Sequence, residues 1–219
     1  QIKKQFEHYL DPRQVKQLQN NPGLLKLGGE KRRCTFMFTD LRGFTALSES
    51  VEPEEVTYIM NRVLTVQVNA VQKYNGCIDK FIGDAGMYIF NAPIDMQHHE
   101  QIAYECALEL IDNVKQVSNE LEAEGLPSVA IGVGINTGTA IVGNMGSDTR
   151  FDYSAIGDPV NVAARLESAT KERGVDLLIG EETEKFCGYK LEVLESIKVK
   201  GKTKPLKIYT KHKQDHENN

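Results

Sequence analysis

Two aspartates in this chain each follow an apolar run with strong strand-forming character. Asp40 ends the run that begins at Thr35, and Asp84 lies in a Gly-Asp-Ala-Gly turn between two short runs, residues 77–82 and 87–90. Two carboxylates at the ends of adjacent strands can hold a pair of divalent cations against a polyphosphate, which is a simple way to move a phosphoryl or nucleotidyl group. Oxygen ligands favour Mg²⁺ or Mn²⁺ over zinc. The sequence therefore predicts a two-metal site, provided that the fold brings Asp40 and Asp84 together.

The surrounding pattern predicts the elements that would position these carboxylates. Strand-like runs alternate with two long amphipathic stretches, and Pro53 opens the first of these at the favoured start of a helix. The order of elements is typical of an α+β fold, with a mostly antiparallel sheet, helices on one face, and a ferredoxin-like βαββαβ core plus a C-terminal hairpin. The predicted strands are residues 35–40, 77–82, 87–90, 129–135, 140–142, 151–156 and 176–179, with a final hairpin from 191–199 and 206–210; a turn is expected at Thr137-Gly138, and the helices are 53–74, 100–122 and 159–169.

Composition narrows the class of protein. The net charge of −5 and the pI near 5.6 argue against a nucleic-acid-binding protein, which usually carries a basic surplus. Four scattered cysteines without a Cys-x-x-Cys pair are interpreted as reduced core thiols. Residues 1–30 form a loose helical pattern and are predicted to be a connector, residues 31–211 to be one domain, and residues 212–219 to be a polar tail.

Three collinear segments resemble the class III nucleotide cyclase catalytic domain of the bacterial adenylate cyclase type. They run from Phe38 to Thr45, from Asp79 to Ala85 and from Ala155 to Glu167, and the similarity extends over residues 32–210. The resemblance implies a head-to-tail homodimer with active sites at its interface. It assigns two Mg²⁺ or Mn²⁺ ions to Asp40 and Asp84 of one copy, facing groups of the other. Those facing groups are Lys80, Ser154, Asn161, Arg165 and Lys200.

The implied reaction is attack of the ribose 3′-oxygen of a nucleoside triphosphate on its own α-phosphorus. Asn161 and Arg165 are four residues apart and therefore share one helix face. We expect Asn161 to orient the ribose and Arg165 to stabilise charge on the α-phosphate. Backbone N–H groups of Gly43-Phe44-Thr45 can cradle the triphosphate, and the resemblance places Lys200 at its terminal phosphates.

Hydrogen-bonding groups predict which base is bound. Adenine offers an acceptor at N1 and a donor at its 6-amino group, so its site needs one donor and one acceptor, which Lys80 and Ser154 can supply. Family members selective for guanine tend to carry Glu and Cys at these places. The predicted substrate is ATP and the predicted product is cyclic AMP.

Several alternatives stay open at the level of sequence. A catalytically silent cyclase-like module that binds nucleotide or only dimerises is one, and a guanylate cyclase is another. A receiver-type domain would need an alternating parallel βα pattern, and the predicted hairpins at Gly83 and Lys202 argue against it. Gly86 stands where relatives commonly carry a bulky aliphatic residue and is expected to loosen the hairpin beside Asp84. The adjacent His98 and His99 are expected in surface or capping roles.

We expect a sensor or membrane anchor upstream in the parent protein, with this domain on the cytoplasmic side of the membrane. The sequence does not identify the activating signal, and sensitivity to bicarbonate stays an open question.

Overall fold

The computed structural model describes residues 16, 19, 20, 28–147, 150–194 and 204–212. Its centre is a sheet of eight strands in the order β2-β3-β1-β4-β6-β8-β7, with β5 paired to β4. The strands are β1 (Glu30–Leu41), β2 (Cys77–Ile82), β3 (Ala85–Phe90), β4 (Ile131–Ser147), β5 (Arg150–Ile156), β6 (Leu177–Gly180), β7 (Leu191–Val193) and β8 (Ile208–His212). Only the β4–β6 pairing is parallel among the strand pairs of the described residues. The predicted α+β class and the mostly antiparallel sheet are confirmed.

Five helices lie in the described part of the chain: α1 (Phe44–Ser50), α2 (Pro53–Lys73), α3 (His99–Ala123), α4 (Asp158–Arg173) and α5 (Glu181–Phe186). Pro53 occupies the first turn of α2 as predicted, and Glu52 with Glu55 forms a capping box there. The two long helices α2 and α3 pack on one face of the sheet and enclose the larger hydrophobic core. The short helices α1 and α5 were not predicted.

Helix α4 packs on the other face of the sheet from α2 and α3, which modifies the expected arrangement of helices on one face. Alternate residues of β1 point to opposite faces, so that Met37 and Leu41 join the core under α2 and α3 while Cys34 and Phe36 join a second cluster with Ala163 of α4. Helix α4 therefore covers part of the opposite face. A Cβ atom on Gly134 would lie 2.3 Å from the backbone nitrogen of Glu167, so this glycine is needed for the close contact between β4 and α4.

The turn predicted at Thr137-Gly138 is wrong. Strand β4 runs straight through both residues, which pair with Thr35 and Cys34 of β1. A Cβ atom on Gly138 would lie 2.5 Å from the ring of Pro159. The glycine is therefore needed because the start of α4 packs closely against the strand at this point. A sequence pattern alone does not distinguish such a packing glycine from a turn glycine.

Other predictions lie partly or wholly outside the described residues. The helical connector at 1–30 and the polar tail at 212–219 fall almost entirely there, so these boundaries stay predictions. The four cysteines are free and buried, as expected for core thiols. Among the residues that the structure describes, no helix combines the length and apolar character needed to span a membrane.

Candidate active site

The sheet register brings Asp40 and Asp84 together. Thr39 of β1 lies opposite Gly86 of β3, so the turn between β2 and β3, which carries Asp84, reaches the end of β1 beside Asp40. Burial raises the pKa of Asp40 to about 6, and the hydrogen-bonded, negatively charged Asp84 carboxyl adds to this effect. The carboxyl groups of Asp40 and Asp84, which the predicted two-metal site needs close together, are therefore in direct contact.

The pair lies in a cavity of about 610 Å³ between the end of β1, the start of α1 and the second half of α4. The cavity is lined by Asp40, Leu41, Arg42, Gly43, Phe44, Thr45, Ala46, Asp84, Gly132, Glu167, Ser168, Thr170 and Lys171. Its volume is in the range of small-ligand sites. All three members of the predicted phosphate-binding segment, Gly43-Phe44-Thr45, therefore share a cavity with the two aspartates.

The donor set at this pair suits a hard divalent cation. Oδ1 of Asp40 is buried and has no hydrogen-bond partner within the described part of the chain, an arrangement that is costly unless a cation or water satisfies it. No group of three or more His, Cys, Asp or Glu side chains among the described residues could hold a metal ion. A magnesium ion is commonly held by one or two carboxylates, with waters and substrate phosphates completing its shell, so two aspartates are sufficient.

Glu167 and Arg42 are site residues for which the sequence pattern predicts no role. Burial raises the pKa of Glu167 to about 7, with a further contribution from the charge of Asp40, while Arg42 lowers it. The guanidinium of Arg42 donates to the carbonyl of Val175, and its backbone N–H donates to the carbonyl of Ala130 at 2.8 Å. Both residues fall inside the matching segments, but only the packing of α4 on Gly132 and Gly134 brings Glu167 near Asp40.

The chain turns sharply at Gly43 before entering α1. Gly43 has φ 64 and ψ 28, in the left-handed region that favours glycine. It has no side chain to cap the helix, so no side-chain acceptor satisfies the first N–H groups of α1, whose residues Phe44 and Thr45 line the cavity. The predicted contact of this segment with phosphate is compatible with that geometry.

Gly86 is tightly enclosed, contrary to the expected loosening of the hairpin. A Cβ atom there would lie 2.5 Å from the hydroxyl oxygen of Tyr88 and 2.9 Å from that of Thr39. Both hydroxyls donate to Oε1 of the buried Gln67, each at 2.7 Å. This network occupies the space of the larger side chain and supports the strand next to Asp84.

The two predicted base-binding residues meet at a third residue, Asp79. The hydroxyl of Ser154 on β5 donates to Oδ2 of Asp79 at 2.7 Å, and Nζ of Lys80 lies 3.9 Å from Oδ1 of the same carboxylate. Ser154 and Asp79 are buried, whereas the Lys80 side chain is 45% exposed. None of the three lines the cavity of Asp40 and Asp84.

Asn161 and Arg165 are both exposed on α4 and share one face, as their spacing predicted. Neither lines the cavity that holds the two aspartates of the same chain. Within one described chain, the amide and the guanidinium therefore do not share this cavity with the acidic pair. Lys200 lies outside the described residues, and its assignment stays a prediction.

The histidine pair differs from expectation in one member. His98 precedes α3 with φ 58, but His99 is buried, and its Nδ1 lies 2.7 Å from the hydroxyl of Thr35. Thr35 also hydrogen-bonds Thr137, which hydrogen-bonds Thr183 of α5. A surface role for His99 is therefore wrong, since it belongs to a buried network that joins β1, α3, β4 and α5.

Solved structures with similar folds include both kinds of nucleotide cyclase. The adenylyl cyclase CyaB from P. aeruginosa is 35% identical with a TM-score of 0.79, and the match covers 86% of this chain and 99% of that one. The guanylyl cyclase Cya2 is 33% identical with a TM-score of 0.77, covering 84% and 93%. Overall fold similarity therefore does not distinguish between the two purines.

Relatives in sequence include named adenylate cyclases. The adenylate cyclase of Anabaena cylindrica is 37% identical over 184 residues, which are 81% of this chain and 36% of that protein. Adenylate cyclase 1 of Rhizobium meliloti (strain 1021) is 35% identical over 181 residues, 82% of this chain and 27% of that protein. The chain thus spans about a third of the length of these relatives. The family model for the adenylate and guanylate cyclase catalytic domain matches residues 29–212, and this chain belongs to that family.

Proposed function

We propose that this chain is the catalytic domain of an adenylate cyclase, which converts ATP to 3′,5′-cyclic AMP and pyrophosphate at sites shared between two copies. The observation that carries the proposal is that the acidic pair and the other predicted catalytic groups do not share a cavity within one chain. Asp40 and Asp84 meet in a cavity, whereas Asn161 and Arg165 of the same chain are exposed and do not line it. In a head-to-tail pair whose two copies are related by a twofold axis, the exposed face of α4 from each copy would lie against the acidic cavity of the other, which gives two equivalent sites.

Each group has a role that suits its chemistry. Asp40 and Asp84 would hold two Mg²⁺ or Mn²⁺ ions, which lower the pKa of the ribose 3′-hydroxyl and neutralise phosphate oxygens when bound. The N–H groups at the start of α1 would receive the triphosphate. Arg165 would stabilise charge on the α-phosphate and Asn161 would orient the ribose, contributions that typically cost ~10²–10³ in rate when they are removed.

Adenine is the base that the hydrogen-bonding groups favour. Lys80 is exposed and offers only donors, which suits N1 of adenine. Ser154 gives its proton to Asp79 and so keeps its lone pairs for the 6-amino group. The direct test is to incubate the purified chain with Mn²⁺ and either ATP or GTP and to quantify the cyclic product; cyclic AMP should dominate. Cyclic GTP as the main product would assign guanylate cyclase activity, and no cyclic product would indicate a silent module.

The shared site is tested by mixing inactive variants. Asp40→Ala and Arg165→Ala proteins damage opposite halves of the site, so random pairing restores one intact site in half of the dimers, or about a quarter of normal turnover. The matched control mixes Asp40→Ala with Asp84→Ala, which damage the same half and should regain nothing. Absence of rescue in demonstrated mixed dimers would refute the shared site.

The parent protein is a further part of the proposal. Because relatives extend well beyond the matched segment, we propose an upstream sensor or membrane anchor that controls the pairing of two such domains at the cytoplasmic side of a membrane. Fusion of the domain to a segment that dimerises on demand should then raise the turnover per chain.

A further inference from the structure

Asp79 is the extra residue of a β-bulge in β2. Ile78 pairs with Tyr88 of β3 and Lys80 pairs with the next residue, Met87, so that Asp79 has no position of its own in the register. A bulge of this kind redirects a side chain and is common next to functional sites. Here it turns the Asp79 side chain inward, where it is fully buried, while Lys80 directly after it reaches solvent.

The buried carboxylate determines which way the Ser154 hydroxyl points. A hydroxyl has one proton and two lone pairs, whereas an ionised carboxylate can only accept. Ser154 donates that proton to Oδ2 of Asp79 at 2.7 Å, so a third group approaching its oxygen finds only lone pairs. The 6-amino group of adenine can donate to such an oxygen. The 6-oxo group of guanine would meet two facing lone pairs.

Lys80 completes the arrangement from the other oxygen of the same carboxylate. Its Nζ lies 3.9 Å from Oδ1 of Asp79, an ion-pair contact that draws the ammonium toward the carboxylate which also binds the Ser154 hydroxyl. One buried carboxylate thus orients both a donor and an acceptor. One donor and one acceptor are what N1 and the 6-amino group of adenine require.

We propose that Asp79 is a specificity-determining positioning residue, which selects adenine over guanine by taking up the only proton of Ser154. This inference rests on the proposed adenylate cyclase function and concerns its base-binding residues. Asp79 itself does not touch the base. It acts through Ser154 and Lys80.

Asn is nearly the same size as Asp, but in Asp79→Asn an amide NH₂ can donate a hydrogen bond where the carboxylate can only accept one. The Lys80 ammonium favours the amide oxygen on its side, so the amide NH₂ faces Ser154 and donates to it. The Ser154 proton is then free to point to the base and can donate to the 6-oxo group of guanine. We expect the ratio of kcat/KM for ATP to kcat/KM for GTP to fall by about 10-fold or more, which corresponds to one hydrogen bond exchanged for a mismatch.

The experiment compares four proteins with both nucleotides: wild type, Asp79→Asn, Ser154→Ala and the double variant. Because ATP and GTP are assayed on the same preparation, the ratio is independent of the fraction that is folded. Without the Ser154 hydroxyl, Asp79→Asn should change the ratio by less than about 2-fold, because only the 3.9 Å contact of Asp79 with the half-exposed Lys80 is then left to lose. A purely structural role of Asp79 would lower both rates together and leave the ratio unchanged.

The outcomes separate this inference from the proposed function. If the wild-type chain makes no cyclic AMP, the proposed function fails. If it makes cyclic AMP and Asp79→Asn keeps the wild-type ratio, or changes it equally without the hydroxyl, the inference alone is overturned. Should Asp79→Asn fail to fold, the wild-type chain is assayed with purine riboside triphosphate, which lacks the 6-amino group. Turnover at least about 10-fold below that of ATP is expected, and equal turnover would overturn the inference.

Discussion

At the scale of single residues, the main feature is a group of carboxylates that crowd one cavity. Asp40 and Asp84 touch, and the pKa of Glu167 is raised to about 7 by burial first and then by the charge of Asp40. Crowded, desolvated acids destabilise a folded protein unless protons or cations compensate them. The cavity therefore favours the binding of cations, and without them its crowded carboxylates lower the stability of the folded chain.

The substitution Asp84→Asn tests this arrangement. In the presence of a chelator the variant should unfold at the same temperature as wild type or higher, because one of the crowded charges is removed. Mn²⁺ at about 100 times its dissociation constant should stabilise wild type by about 2.7 kcal/mol and the variant far less, and cyclic AMP synthesis should fall by at least ~100-fold. Thermal unfolding with and without Mn²⁺ measures the two effects on stability, and quantification of cyclic AMP measures the loss of activity. Asp112→Asn, an exposed aspartate on α3, is the matched control and should behave as wild type.

At the scale of elements, the chain enters α1 along one wall of the cavity, and the left-handed conformation of Gly43 makes that turn. Gly43→Ala forces a side chain into the left-handed region at φ 64 and should cost about 1 kcal/mol of unfolding free energy. Gly125 after α3 has φ 83, and at both glycines no described atom lies within 4 Å of the place that a Cβ atom would take. Gly125→Ala should therefore cost similar stability yet keep full activity, whereas Gly43→Ala should lose activity as well. Equal activity in the two variants would contradict a role of this turn in binding phosphate.

The buried network around His99 predicts a pH-dependent stability. Burial lowers the pKa of His99 below its ordinary value of 6.5; Glu100 opposes this, and Arg33 and Arg32 add to it. Below about pH 6.5 the unfolded chain binds a proton that the folded chain resists, so this histidine contributes stability above that pH and loses it as the pH falls.

A comparison of wild type with His99→Asn isolates this effect. The raised pKa values of Asp40 and Glu167 act in the opposite direction, since they favour the folded state as the pH falls, but both proteins contain them. Denaturant unfolding between pH 7.5 and 5 should show wild type losing stability relative to the variant. A constant difference across that range would mean that His99 does not titrate differently in the folded chain.

At the scale of the whole molecule, the proposed site exists only where two copies meet. Ile141 and Ile156 are paired across β4 and β5, and they are 45% and 63% exposed. They lie on the hairpin that carries Ser154, which must face a partner in a shared site. Adjacent exposed aliphatic side chains of this kind commonly mark a protein interface.

Turnover per chain should therefore fall on dilution, as dimers dissociate. Ile156→Asp should shift this loss to higher protein concentrations, because it places a charge among apolar contacts. Val193→Asp, which changes a side chain of similar exposure on β7 at the far end of the sheet, should leave the concentration dependence unchanged. Sedimentation at matched concentrations would relate the turnover to the fraction of dimers. Turnover per chain that is independent of concentration down to the monomer would contradict the shared site.

Much of this architecture could be predicted because single strands, helix starts and hairpin turns depend mainly on interactions between residues that are close in sequence. The apolar run before Asp40, the helix opened by Pro53 and the hairpin around Asp84 depend on neighbouring residues, and all three form as expected. The glycines were harder to interpret, since a glycine permits both a turn and a close contact. Gly138 serves a contact with Pro159, and Gly86 lies against Tyr88.

The sequence by itself determined the α+β class, the family and the identity of the acidic pair, because these depend on residue types in a collinear order. Only the tertiary structure decided that Glu167 joins that pair, that Asp79 takes the proton of Ser154, and that Asn161 and Arg165 do not line the acidic cavity of their own chain. The physical reason is that each of these depends on distances between residues far apart in the chain. Such distances are set by sheet register, by a bulge and by the packing of α4 on glycines, and no local pattern encodes them.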